Sequence, residues 1–172
     1  TLTETDAGLS DGGTLSVADL DLSDEVTASV TGVVESGTTA GLGSDNATLA
    51  GMLTVTAGAI AADPGDTNNL AWSFDSGAEA FDYLDDGESL TLTYTVQVED
   101  DSGATDSKEV VVTITGTNDA PAISVETGDS DSTTLTETDA GLSDGGTLSV
   151  ADLDLSDEVT ASVTGVVESG TT

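Results

Sequence analysis

Ser89-Leu90-Thr91-Leu92-Thr93-Tyr94-Thr95-Val96-Gln97-Val98-Glu99-Asp100 alternates in residue character along its length. Leu90, Leu92, Tyr94, Val96 and Val98 fall on one face, and Thr91, Thr93, Thr95, Gln97 and Glu99 on the other. That is the period of a half-buried β-strand. Lys108 to Gly116 reads the same way, with Val110, Val112 and Ile114 inward and a β-branched composition in support.

Working outward, earlier strands are expected at Thr1 to Thr5, Gly13 to Ala18, Glu25 to Val34, Thr48 to Ala57, Ala71 to Asp75 and Ala80 to Leu84. Turn-forming clusters separate them: Ser10 to Gly13, Ser36 to Asn46, Asp63-Pro64-Gly65-Asp66, Asp85-Asp86-Gly87 and Asp100 to Gly103. No stretch of helical length has a 3.6-residue period. The expected fold is therefore all-β, about seven to nine strands, most economically an immunoglobulin-like Greek-key sandwich.

The chain repeats itself. Thr134 to Thr172 copies Thr1 to Thr39 without a substitution, 39 residues at an offset of 134 − 1 = 133. The 172 residues thus hold one period and the start of the next, as in a tandem array. Between the copies stands Gly116-Thr117-Asn118-Asp119-Ala120-Pro121. Pro121 cannot donate to a strand ladder and biases Ala120 toward extended backbone, which suits a short, stiff connector into a strand at Ala122 to Glu126. The expected units are 1–119, a sandwich repeat lacking its first strand, and 120–172, the first strands of the next. Strands with unpaired edges in so short a tail should not be stable alone. Two readings stay open: a window on a longer array, or completion by strand donation from neighbouring molecules.

Composition limits the partners. One basic residue, Lys108, faces 34 acidic ones, for a formal charge of −33. This excludes nucleic acid and anionic membranes as partners, and no apolar run approaches a membrane span. Charge of that density repels itself unless salt screens it or cations bind it, and divalent cations are the obvious candidates. With no Cys, no His and no Arg, there is no thiolate or imidazole metal site, no catalytic triad and no guanidinium clamp. A glycosidase needs only two carboxylates, but the acids here sit in turns of a duplicated unit. An enzyme is not expected.

Strand directions bring selected carboxylates toward the joint. With Lys108 to Thr115 running into the linker, the antiparallel strand before it begins at the same end, so Asp85 and Glu88 lie near Asn118 and Asp119. The first strand carries Glu4 there. In the next copy Gly146 to Ala151 returns toward the linker, and Asp152, Asp154 and Asp157 turn back beside it. Their counterparts Asp19, Asp21 and Asp24, with Asp101 in the Asp100 to Gly103 turn, face the preceding joint. Calcium takes six to eight oxygens from flexible carboxylates and carbonyls, which such a set can supply.

Several weaker signals fail. Asp19-Leu20-Asp21-Leu22-Ser23-Asp24 begins like an EF-hand loop, but Asp24 replaces the required Gly and Val30 the terminal Glu. Gly12 to Leu20 matches a calcium-binding nonapeptide loosely, with Leu15 where Gly is needed and no nine-residue recurrence. Asn46-Ala47-Thr48 is a sequon by pattern only. Trp72 reads as core rather than as a sugar platform.

The run Gly87 to Thr105, followed by Val110-Val111-Val112-Thr113-Ile114-Thr115-Gly116-Thr117-Asn118-Asp119-Ala120-Pro121, closely resembles the VCBS-type repeats of giant bacterial surface adhesins. Gly13-Thr14-Leu15-Ser16-Val17-Ala18-Asp19-Leu20-Asp21 and the aromatic stretch Trp72-Ser73-Phe74-Asp75 add to the likeness. Ser36 to Asn46 and Gly58 to Leu70 are long for the pattern. The resemblance implies a cadherin-like or immunoglobulin-like sandwich repeated many times, exported by type I secretion in RTX-type adhesins to the cell surface, with calcium at the joints. It also implies an extender role, with neighbouring identical repeats as partners and host-surface or glycan targets bound by other domains. Cadherins pair an Asn-Asp-x-Pro-like linker with an Asp-x-Asp about thirty residues on, and Asp119 to Asp152 is 33. The competing expectations are a glycan- or surface-binding module and a filament subunit that exchanges strands.

Overall fold

The computed structural model describes residues 1–170. The chain divides into two compact units, Thr1–Asn118 and Asp119–Thr172.

In the first unit, β1 (Leu2–Thr3), β3 (Val26–Gly37), β6 (Ser89–Asp100) and β7 (Thr105–Thr115) form one sheet in the order β1-β7-β6-β3. β2 (Ser10–Leu15), β4 (Leu53–Val55) and β5 (Leu70–Asp75) form a second, in the order β2-β5-β4. The fold is all-β, as expected. The β6–β7 hairpin is its centre: eleven antiparallel pairs from Ser89↔Thr115 to Glu99↔Thr105. Leu90, Leu92, Tyr94 and Val96 are buried with Val110, Val112 and Ile114, the inward phases read from sequence. They pack in one core with Leu53, Leu70 and Phe74 of the other sheet. Phe74 meets Tyr94 edge-on at 6.3 Å between ring centroids, so the two sheets close on a shared aromatic contact.

β1 pairs parallel with the end of β7, Leu2↔Ile114 and Thr3↔Thr115. That pairing delivers residue 4 to the point where the chain leaves the sandwich.

Four expectations are corrected. The strand expected at Thr48 to Ala57 begins as a helix, α1 (Asn46–Gly51), and only Leu53–Val55 is strand. Asp45 causes this: its carboxylate caps the helix by accepting the Thr48 N–H at 2.8 Å. Fully buried Leu49 then anchors the turn, and its carbonyl accepts the Tyr94 hydroxyl at 3.0 Å. Ala80 to Leu84 is a turn instead of a strand. Phe81 takes φ 68°, reversing the chain so that Phe81 and Leu84 both enter the core.

Ser10 to Gly13 is strand instead of turn, paired with Trp72 to Asp75. The two glycines serve close packing: a Cβ on Gly13 would stand 2.8 Å from the Trp72 ring. The strand expected at Gly146 to Ala151 is confined to its last three residues.

In the second unit, β8 (Ala122–Ser124) and β9 (Ser149–Ala151) pair antiparallel, Ala122↔Ala151, Ile123↔Val150 and Ser124↔Ser149. Asp129 braces the turn after β8, accepting the Glu126 N–H (3.0 Å), the Thr147 hydroxyl (3.0 Å) and the Ser149 hydroxyl (2.7 Å). These donors, the Glu126 N–H first, hold its carboxyl below the ordinary value.

Candidate metal-binding carboxylates

Where the first unit ends, Glu4 is buried at 1 % exposure. Its main chain continues the β1–β7 pairing, Glu4 N–H donating to the Thr115 carbonyl at 2.8 Å. Its Oε2 accepts both the N–H (3.0 Å) and the hydroxyl (2.6 Å) of Thr117. Its Oε1 is buried with no hydrogen-bond partner among the described residues. A carboxylate withdrawn from water with one oxygen unsatisfied is costly, and either a proton or a cation would offset that cost.

Asp82 is the neighbouring charge. Burial pushes its carboxyl up, and the charges of Glu4, Asp6 and Glu79 push it further in the same direction. Asp82 Oδ1 is likewise buried and unpartnered among the described residues. Asp85 and Glu88 lie on the turn entering β6 at this same end. Glu88 N–H donates to the Asp85 carbonyl (2.9 Å), Glu88 Oε2 accepts the Asp85 N–H (3.3 Å), and Gly116 N–H donates to the Glu88 carbonyl (3.1 Å). Gly116 fits only because it lacks a side chain: a Cβ there would stand 2.1 Å from the Leu84 carbonyl oxygen and 2.3 Å from that of Asp85. The sandwich thus brings Glu4, Asp85 and Glu88 to the end where Thr117 and Asn118 leave it.

At the opposite end of the first unit, carboxylate oxygens of Asp19, Asp24 and Asp100 all lie within 4.8 Å of one another. Asp24 Oδ2 accepts the Ser102 hydroxyl at 3.1 Å. Asp101 is exposed, and the Asp24 charge is the main reason its carboxyl is raised above the ordinary value. Asp21 is exposed and stands outside the trio; its N–H donates to Asp19 Oδ1 at 2.9 Å.

In the second unit the linker meets the Asp-x-Asp. Asp119 N–H donates to Asp154 Oδ2 at 2.6 Å. The loop after β9 has the form of its copy in the first unit: Asp154 N–H donates to Asp152 Oδ1 (3.3 Å), and Asp157 N–H to the Asp154 carbonyl (3.1 Å). The equivalent Asp24 N–H donates to the Asp21 carbonyl at 2.9 Å.

The Asp100 to Gly103 turn is expected beside the Asp19 loop with Asp101 as its ligand, but Asp100 is the acid that joins Asp19 and Asp24; it had a signal, because the inward phase Leu90, Leu92, Tyr94, Val96, Val98 continues onto it. Asp82 had none, since the left-handed turn at Phe81 breaks every simple period around it.

The donor set is hard oxygen only: carboxylates, carbonyls and hydroxyls. It fits calcium or magnesium and not a soft metal. Among the described residues no helix is long and apolar enough to cross a membrane. No protein-family model matches this chain, and no curated protein matches it.

Proposed function

We propose that this chain is an extender repeat of a large, secreted bacterial surface adhesin or extracellular filament, with a cadherin-like sandwich fold, stiffened by calcium at the joints between repeats. Its work is mechanical: each sandwich supplies length, and each cation-filled joint fixes the angle to the next.

The observation that carries this reading is the state of Glu4. A core-depth carboxylate with one oxygen satisfied by Thr117, just past the end of β7, and the other without a partner among the described residues is poorly explained as a stability device. It is well explained as a ligand whose partner is a cation. Asp82 adds a second buried, unpartnered oxygen, and Asp85 and Glu88 are carried on the adjoining turn. On the other side of the linker, Asp154 already holds the Asp119 main chain, so a cation bound by Asp152, Asp154 and Asp119 would tie linker and loop together. The residue-perfect duplication supports a spacer, because multiplied identical units add length without adding a new binding surface.

Calorimetric titration of the chain with calcium tests this. Saturable binding is expected, with Glu4→Gln weakening it by about tenfold or more, as loss of a direct ligand charge should. Asp63→Ala, in a plain surface turn, should leave it unchanged. Absence of calcium binding to the wild-type chain would sink the proposal.

A further inference from the structure

The outer face of the β3, β6 and β7 strands is nearly uncharged, in a chain that carries −33. The register sorts their acids. Glu35, Asp100 and Asp106 stand opposite Leu92, Val26 and Val98, on the phase that points into the sandwich. Glu99 and Glu109 alone share the outward phase, with Thr91, Thr93, Thr95 and Gln97 of the central strand.

An apolar row crosses the middle of that face. Val34 and Val111 both stand opposite Thr93, one on each side of it, and are 67 % and 55 % exposed. In the first unit only Leu20 and Leu22, in the acidic loop, are large exposed apolar side chains besides these two. The repeat does not cover the row: shifted by one period, Ala122–Ser124 falls beside Ser16 to Ala18, just past β2 of the other sheet. Two copies of this chain repel one another across their acidic surfaces, so a face without charge is where they can meet.

We propose that this face is a lateral docking surface for a second copy of this chain. A two-fold axis along β6 through Thr93 exchanges the flanking strands. It seats Val34 on the partner's Val111 and Val111 on the partner's Val34, with the two Thr93 side chains meeting at the axis. The sheets stack about 10 Å apart, their strands within about 30° of one another. Glu109 falls over the partner's Gly32, because both residues stand opposite Thr95. There is room for it, since nothing lies within 4 Å of where a Cβ on Gly32 would be.

Three strands over the length of Ser89 to Gln97 cover roughly 430 Å² at ordinary strand spacings, or roughly 860 Å² for the pair. That is the size of a weak, transient contact. The charge on the other faces weakens it further until salt screens that charge. Because the same patch serves both copies, assembly closes at a dimer. None of this rests on the calcium reading.

Sedimentation equilibrium of the full chain up to millimolar concentration provides the test, in chelator, with sodium chloride raised from about 0.01 M to about 1 M. The wild type should dimerise, its affinity rising about tenfold or more over that range, whereas a contact made of ion pairs would weaken. Val34→Glu alone and Val111→Lys alone should each lose about tenfold or more in affinity, since each places two unpaired charges in the contact. Mixed together they should recover a heterodimer, with one ion pair and one remaining contact of Val on Val. Thr27→Lys, at the far end of β3, should not rescue Val34→Glu. All three positions are exposed, so the melting temperatures should stay near that of the wild type. A wild type that stays monomeric at high salt, a Val34→Glu variant that dimerises like it, a mixture no better than its components, or rescue by Thr27→Lys would each overturn the proposal. So would retention of a monomeric wild type on insoluble cellulose that Val34→Glu abolishes, which would assign the face to a neutral polysaccharide.

Discussion

Glu4 and Asp82 show how a carboxylate is tuned by what surrounds it. Glu4 receives two donors from Thr117 on one oxygen and none on the other, while Asp82 faces the charges of Glu4, Asp6 and Glu79. Without a cation this group of like charges opposes folding. Asp82→Asn is therefore expected to raise the melting temperature in chelator and to shrink the further rise that calcium brings, both measurable in one pair of thermal melts. Asp45 illustrates the reverse case. Its cap on α1, the Thr48 N–H foremost, holds its carboxyl below the ordinary 3.8. The folded form binds a proton less readily than the unfolded, so this contribution is full above pH 3.8 and is lost as pH falls through the lower folded value. Asp45→Asn keeps the cap without the charge, and should match the wild type at pH 7 while losing that acid dependence; Asp45→Ala should be less stable at pH 7.

The elements differ in how openly their sequences declare them. β6 and β7 are legible because each is long, and every inward position up to Val98 in one and from Val110 in the other is apolar. The core follows from that phase, and Leu92→Ala should cost about 2–5 kcal/mol in a chemical denaturation series. α1 is illegible for the opposite reason: six residues are too few to display a helical period, and Thr48 to Val55 also reads as alternation. Only Asp45, three residues before Thr48, hinted at a cap. The helix is held by its tertiary contact, so Tyr94→Phe, which leaves the Leu49 carbonyl with the Met52 N–H alone (3.1 Å), should cost about 0.5–1.5 kcal/mol although it leaves the ring in place. The turn at Phe81 hid in the same way, since left-handed backbone at a bulky residue has no sequence signature and is imposed by the burial of Phe81 and Leu84. With that turn went Asp82. Asp85 and Glu88 were legible because the antiparallel pairing of β6 with β7 dictates which of their ends coincide, and Glu4 reaches the same end because β1 runs parallel to β7.

At the scale of the whole molecule, charge and repetition dominate. A net charge of −33 on 172 residues means that each folded unit carries repulsion that a bound divalent cation relieves. Calcium that binds the folded form alone adds about 2.7 kcal/mol at a hundredfold excess over its dissociation constant, a shift on the order of 10 °C in melting temperature. In the proposed tandem array the same ions would set the mechanics, because a joint that can flex without calcium would become fixed with it. On the proposed reading the function lies in that change, with the sandwiches as the distance between joints. Small-angle X-ray scattering of a chain carrying two complete repeats, recorded in chelator and then in excess calcium, tests this most directly. The account predicts that calcium lengthens and narrows the distribution of end-to-end distances, and that Asp119→Ala with Asp152→Ala abolishes the change; identical scattering in both conditions would contradict it.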